Sequence, residues 1–324
     1  MRYVKLHGCG NDYVFVDARS LRIDNPSAMA RLMADRHRGV GSDGLILVRP
    51  AGDRAIGVSI YNADGSRALM CGNGVRCAVR FACEAGMLGD IEWLTVSPGE
   101  AAGGWCAKLG DVAGASFPPT LLRRGLELAA GDGSDTSVAY VKVVTDSGVR
   151  GVVAIAAAGV VRCAVVDMGV VSLDAAAMGC TLTVTKVVDF RLELGHRRYD
   201  VTCVSTGNPH AVIFVDDLGG VDVTGDGRAV EACGWFRCGV NVHFVEVLSR
   251  DRVRAATWER GSGRTLACGS GACAVVGAGR ATGRTDAACA VQMPGGRLDV
   301  AVTDRAYLLG PVETACRGEW DKPH

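Results

Sequence analysis

The chain has 324 residues, 48% of them hydrophobic and 22% charged, and its 35 Lys and Arg balance 35 Asp and Glu. That length supports one large domain or two of about 150 residues, and a net charge of zero excludes the basic field that recruits nucleic acid or an anionic membrane. The first residues carry no signal-peptide core, and the longest apolar run, Val152 to Val161, is too short for a membrane span and contains Gly159, so the cytoplasm is the expected compartment.

In chain order, Val14 to Asp17, Leu45 to Val48 and Ile56 to Tyr61 read as strands, and Met29 to His37 has helical spacing. Val75 to Ala85 predicts a helix that stops at Gly86. From Ala101 to Asp135 the composition shifts to glycine, alanine, proline and charge without a clean period. Strands follow at Val138 to Val144, Val152 to Ile155, Ala211 to Val215 and Asn241 to Val247. A second strong helix is expected after Cys268, ending near Gly279 to Gly283. The tail, Arg297 to Val302 and Ala306 to Leu309, returns to strand character. Strands, helix and strands, twice over, suggest two pseudo-equivalent α/β halves: residues 1–135, which carry Cys71 and are joined by the C-terminal strands 303–324, and residues 136–302, which carry Cys268.

Two motifs dominate this pattern. Met70-Cys71-Gly72-Asn73-Gly74-Val75-Arg76-Cys77 and Ala267-Cys268-Gly269-Ser270-Gly271-Ala272-Cys273 each set a cysteine before Gly-x-Gly and an apolar helix, with Asn73 or Ser270 expected near the N-cap. A thiol at a helix start meets unpaired N–H groups and the positive end of the helix dipole, which favour thiolate. Two thiols in matching contexts suggest a pair of acid–base groups. The chain holds 14 cysteines, but a disulfide framework belongs to small secreted chains. Cysteines set among Ala and Val, such as Cys83, Cys163 and Cys289, read as small buried hydrophobes.

Competing motifs fail on context. Gly39-Val40-Gly41-Ser42-Asp43-Gly44 matches G-x-G-x-x-G, yet Arg36-His37-Arg38 precedes it and a strand-like run follows where a helix should begin. A non-catalytic zinc or redox module is the reading from a different class. The spacings Cys71/Cys77 and Cys268/Cys273, without clustered histidine, do not match structural zinc sites, so no metal is expected. Asn11, Asn62, Asn208 and Asn241 each lie beside glycine or in a turn, where Asn is at home anyway. With Glu259-Arg260 just before the second motif they read as ligand-orienting groups: Arg260 suits a carboxylate and Glu259 an ammonium. His7 and His37 receive no role.

At this point the chain resembles the diaminopimelate epimerases. The resemblance runs through His7-Gly8-Cys9-Gly10-Asn11-Asp12, Arg36 to Gly41, Asn62 to Ser66, Met70 to Cys77, Gly207-Asn208-Pro209-His210, Trp258 to Gly261, Ala267 to Ala274, Pro294 to Gly296 and Leu309 to Pro311. It implies an α/β (α+β) fold of two pseudo-symmetric halves, each a curved, mostly antiparallel sheet wrapped around a central helix, and commonly a homodimer. It further implies Cys71 and Cys268 as catalytic acid and base, and His210 and Glu259 as tuning the thiols. Asn11, Asn62, Asn208, Asn241, Glu259 and Arg260 then bind substrate, with backbone groups at Gly72-Asn73 and Gly269-Ser270 holding the reacting carboxylate. The implied reaction converts LL- to meso-diaminopimelate, toward lysine and peptidoglycan precursors. Proline racemase-like enzymes typically carry Cys-Gly-His-Gly at the first motif, where this chain has Asn73. Cys9, the stretch 101–137 and Phe236-Arg237-Cys238 depart from the family pattern.

The chemistry agrees with this resemblance. Inverting an α-carbon requires removal of a proton on one face and delivery on the other, so two opposed groups are needed. Pyridoxal phosphate would need a Schiff-base lysine, and the five lysines lie in no recognisable motif. No cofactor is expected.

Overall fold

The computed structural model describes residues 1–89, 91–97, 102–114, 116–131, 135–195 and 197–321. The chain divides into two compact units, Met1–Asp167 with Leu309–His324, and Met168–Leu308. The boundary therefore falls later than the composition shift near residue 135 suggested, and the return to the first unit falls at 309 rather than 303.

The first unit opens with β1 (Arg2–Gly8) and β2 (Asn11–Asp17), followed by α1 (Pro26–Ala34), β3 (Gly44–Pro50), β4 (Ala55–Asn62), the short β5 (Arg67–Ala68) and α2 (Gly72–Glu84). It continues with β6 (Leu94–Val96), α3 (Ala102–Ala113), α4 (Pro119–Ala130), β7 (Thr136–Thr145), β8 (Gly148–Ala157) and β9 (Val160–Val170). Most neighbours are antiparallel, with parallel joins at β2/β3 and β4/β7. The closing segment Glu313–Glu319 pairs with β1. The β4/β7 join, Ala55 beside Lys142, is what draws β7 and β8 into this unit. The paired residues lie 87 positions apart in the chain, beyond the reach of any local pattern. α1 starts earlier than its apolar spacing suggests because Asn25 caps it, accepting from the Ala28 N–H at 3.0 Å. It stops before His37 because the Asp35 carboxylate captures the His37 and Arg38 N–H groups, each at 2.8 Å.

The second unit runs β10 (Phe190–Leu194), β11 (Arg197–Ser205), β12 (Pro209–Val215), α5 (Val223–Glu231), β13 (Asn241–Ser249), β14 (Arg252–Glu259), β15 (Gly263–Thr265), α6 (Gly269–Ala281), β16 (Ala288–Met293), β17 (Gly296–Val302) and β18 (Arg305–Pro311). Parallel joins recur at β12/β13 and β14/β16 within an otherwise antiparallel arrangement.

The two units match position for position. α1 and α5 cover residues 26–34 and 223–231; Tyr13 lies beside Gly44, as His210 lies beside Asn241; Tyr61 lies beside Arg67, as Trp258 lies beside Arg264. In every case the counterpart stands 197 positions on. Beyond the central helices the offset falls to 148, since Lys142 beside Ala55 corresponds to Ala290 beside Arg252. The first unit thus holds 49 additional residues there, which include β6, α3 and α4. That insertion is the patternless stretch of the sequence.

Each unit wraps its sheet around one buried helix. Residues 72–82 of α2 are all buried, as are ten residues of α6. The buried residues of α6 are all Gly, Ala, Cys or Val, as in a helix enclosed on all sides, whereas α2 also buries Asn73, Arg76 and Arg80. Each Val or Phe so buried contributes roughly 1.5–3 kcal/mol. Both cysteine motifs are thereby fixed to the buried helix of their unit.

Candidate active site

Neither Asn73 nor Ser270 caps its helix. The N-cap is the cysteine itself, with extended backbone at Cys71 and Cys268. Each sulfur accepts the N–H three residues on, Gly74 at 3.3 Å and Gly271 at 3.4 Å. The first-turn N–H groups of both helices have no intrahelical partner, which leaves anion-binding donors beside each thiol.

Around Cys71 the side chains interlock. The thiol donates to Asn11 Oδ1 at 3.6 Å, and Asn73 Nδ2 donates to the same oxygen at 3.2 Å. Asn11 Nδ2 in turn donates to Asp43 Oδ2 at 2.8 Å. Arg36 bridges Asp12 and Asp43, and Lys5 Nζ lies 2.7 Å from Asp12. Burial would raise the Asp12 carboxyl, but the Lys5 hydrogen bond and charge, with Arg36, outweigh it and hold it low. Asp43 is raised by burial and by the charge of Asp12. The residues that imitated a nucleotide loop therefore serve as a strap that brings Asp43 under Asn11. Beneath the helix start, Arg76 is 0% exposed. It donates to Asn73 Oδ1 at 2.6 Å and to the Gly72 carbonyl at 3.3 Å. Gly8 is required beside it, since a Cβ there would lie 2.7 Å from Arg76 Nη2.

Cys268 is more deeply set and has a different neighbourhood. Ser270 Oγ is 3.6 Å from its sulfur. Burial first, then the charge of Glu259, push the Cys268 thiol well above its ordinary value, against the opposing bonds from Ser270 and Gly271. The helix start thus does not win here: the sequence-level expectation of a favoured thiolate is reversed for this cysteine, because desolvation penalises the charged form more than one N–H and a dipole reward it. Glu259 is held by the Thr265 hydroxyl at 2.6 Å.

Other expected residues divide. Asn62 ends β4 and donates to Ser66 Oγ at 3.0 Å. Asn241 donates to the Pro209 carbonyl at 3.2 Å and accepts the Arg260 N–H at 3.1 Å, so its amide braces the backbone that presents Arg260. Arg260 is exposed, with Nη1 on the Cys238 carbonyl at 2.7 Å. His210, expected to tune a thiol, bonds instead to Asn208, Thr206 and His243. Cys77 and Cys163 are pushed up to about 12 by burial, in keeping with buried hydrophobes. Sequence reasoning missed Asp43, Arg76, Thr265 and His243. The available signals were an arginine inside an apolar helix and a histidine inside an apolar strand, both costly unless partnered. Among the described residues no three His, Cys, Asp or Glu side chains converge as a metal site, and no helix is long and apolar enough to cross a membrane.

Two topologically matched units, each with a central helix capped by a cysteine, give the chain the fold of known racemases and epimerases. A hydroxyproline epimerase from Agrobacterium vitis superposes with a TM-score of 0.61 at 15% identity over 98% of this chain and 91% of that one. A PhzF-family phenazine biosynthesis protein from Bacillus anthracis gives 0.55 at 14%, over 99% of each chain. These likenesses concern the fold alone.

The family follows from sequence. The family model described as Diaminopimelate epimerase matches residues 3–100 and 202–315. Proteins named diaminopimelate epimerase from Agathobacter rectalis and Moorella thermoacetica are 33% and 35% identical, each over 99% of both chains. The chain belongs to the diaminopimelate epimerase family. The unmatched middle, 101–201, contains α3 and α4 of the insertion that breaks the correspondence between the two units.

Proposed function

We propose that this protein interconverts LL- and meso-diaminopimelate by transferring a proton at one α-carbon between two thiols, without a cofactor. The observation that carries this reading is the equivalence of Cys71 and Cys268: each caps a buried helix, at matched positions of two topologically matched units. The chemistry requires that one sulfur remove the α-proton and the other deliver a proton to the opposite face, so the pair holds one proton before and after each turnover, with the thiol and thiolate exchanged. Burial and the charge of Glu259 favour the thiol form of Cys268 in the free protein, and which sulfur acts as base depends on the stereoisomer bound. Charge that builds on the adjacent carboxylate as the proton leaves meets the first-turn N–H groups at Gly72-Asn73 and Gly269-Ser270. Losing one such donor typically costs about 3–4 kcal/mol of barrier. Asn11, Asn62, Asn208, Glu259 and Arg260 orient the distal amino-acid end, with Asn241 holding the Arg260 backbone. The homodimer and the cytoplasmic setting remain part of this reading, the former checked by sedimentation.

The test is incubation with LL-diaminopimelate in D₂O under reducing conditions, following α-deuterium and the meso isomer together. Formation of both supports the reading; absence of both sinks it. Proline in a parallel incubation separates the racemase-like alternative, which the family assignment does not favour.

A further inference from the structure

The second unit contains a line of buried polar groups that no step above uses. Thr257 Oγ1 lies 2.9 Å from His243 Nδ1, and His243 Nε2 lies 2.8 Å from His210 Nδ1. His210 Nε2 is 2.9 Å from Asn208 Oδ1 and 3.1 Å from Thr206 Oγ1. Both rings are 0% exposed. Burial pushes His243 down to about 3, and burial with the neighbouring His243 and Arg260 holds His210 well below its ordinary value. Each ring is therefore neutral at working pH, with one N–H and one lone pair.

In such a line each proton fixes the next. Asn208 Oδ1 has no hydrogen to give, so His210 must carry its proton on Nε2. Its Nδ1 is then an acceptor and takes the Nε2–H of His243, whose own Nδ1 takes the Thr257 hydroxyl. Reversing the polarity would set two lone pairs 2.9 Å apart unless the Asn208 amide turned over. An unmet buried partner costs about 1–3 kcal/mol, so the rings and the amide must change polarity together, and the polarity that matches Asn208 Oδ1 facing His210 is Nε2–H at both rings. Among the described residues Asn208 Nδ2 has no hydrogen-bond partner, and the residue is half-buried.

We propose that His243 is a positioning residue: by holding His210 in its Nε2–H form, it locks the Asn208 amide with Oδ1 inward and Nδ2 outward, as a donor to a carboxylate of the substrate. The proposal rests on the reading of Asn208 as a substrate-binding residue. The relay is confined to one half, since the counterparts of His210 and His243 are Tyr13 and Ile46. The counterpart also separates relay from packing. A Cβ at Gly271 would lie 2.2 Å from His243 Cε1, and one at Gly74 2.6 Å from Ile46 Cδ1. An isoleucine thus supports the same helix turn in the first unit, which makes His243→Ile the informative variant.

Three variants and one spectroscopic measurement test the proposal. His243→Ile should raise KM for diaminopimelate between about twofold, the value for an amide reversed half the time, and about tenfold, with kcat within about twofold. His243→Gln, whose amide nitrogen stands where Nε2 stood, should recover most of the loss. A purely structural role would move Tm and kcat without this split. Asn208→Ala is the control: an unchanged KM there overturns the reading of Asn208, whereas a raised KM there with an unchanged KM in His243→Ile overturns the relay alone. Should His243→Ile not fold, ¹⁵N spectra of histidine-labelled parent protein decide. Nε2–H at both His210 and His243 from pH 6 to 9 supports the proposal, and Nδ1–H at either ring overturns it.

Discussion

At Cys71 the first helical turn rests on Ile46, and the ion buried beneath it is the guanidinium of Arg76. At Cys268, 197 positions later, the turn rests on His243, the counterpart of Arg76 is Cys273, and the nearby ion is the carboxylate of Glu259. The same backbone thus presents the same thiol to chemically opposite surroundings. The paired asparagines sharpen the contrast. Asn11 gives its Nδ2 to Asp43 and turns Oδ1 to the thiol, while Asn208 turns Oδ1 to His210 and leaves Nδ2 outward. One half shows an acceptor where the other shows a donor. A near-symmetric frame can therefore supply matched acid–base groups while its substituted positions tell one end of a substrate from the other.

The largest expected effect tests the equivalence of the thiols. Cys71→Ser and Cys268→Ser should each lower kcat by about 10²–10⁴, the usual contribution of a positioned acid or base; a variant that keeps a tenth of parental turnover would remove that residue from the mechanism. Next comes the difference between them. Because the Cys268 thiol is raised, its thiolate fraction at pH 7.5 is small and should grow about tenfold per pH unit through pH 9 without levelling. Iodoacetamide labelling mapped by mass spectrometry should show that climb, with the half-exposed Cys71 reacting faster at pH 7.5. Equal rates at that pH would dissolve the contrast.

Smaller effects probe the packing under each helix. Gly271→Ala drives a methyl into an imidazole ring held by hydrogen bonds on both sides and should cost about 1–3 kcal/mol. Gly74→Ala presses on the terminal methyl of Ile46 and makes ordinary contact with Cys71, and it gains helix propensity of up to about 1 kcal/mol, so denaturant melts should find it near neutral. The smallest difference lies in the asparagines. Asn11→Asp loses its donor to Asp43 and opposes two carboxylates, costing about 1–2 kcal/mol. Asn208→Asp still accepts from His210, so it should fold normally while KM rises. Equal Tm losses in the pair would show that their amides are not oriented oppositely.

Much of the site was legible because its signals are local. A cysteine, two glycines and an apolar run specify a buried helix start wherever they occur, and the Asn and Glu-Arg positions lie in short turns whose composition is distinctive. What was not legible depends on pairing. Asp43 sat inside a false nucleotide motif because its function is to meet Asn11, 32 positions earlier. His243 looked like one polar residue in a strand until β12 and β13 placed it beside His210. The strands after residue 135 followed the right pattern but were assigned to the other half, since the Ala55–Lys142 join crosses the insertion.

By itself the sequence determined the family, the two helices and the two thiols, because helix periodicity and capping act over a few residues. Only the tertiary structure decided that the sulfurs are themselves the caps, that burial and Glu259 raise the Cys268 thiol, and which groups each asparagine meets. Those outcomes depend on desolvation and on hydrogen bonds between distant strands, and neither quantity exists until the chain has closed around its two helices.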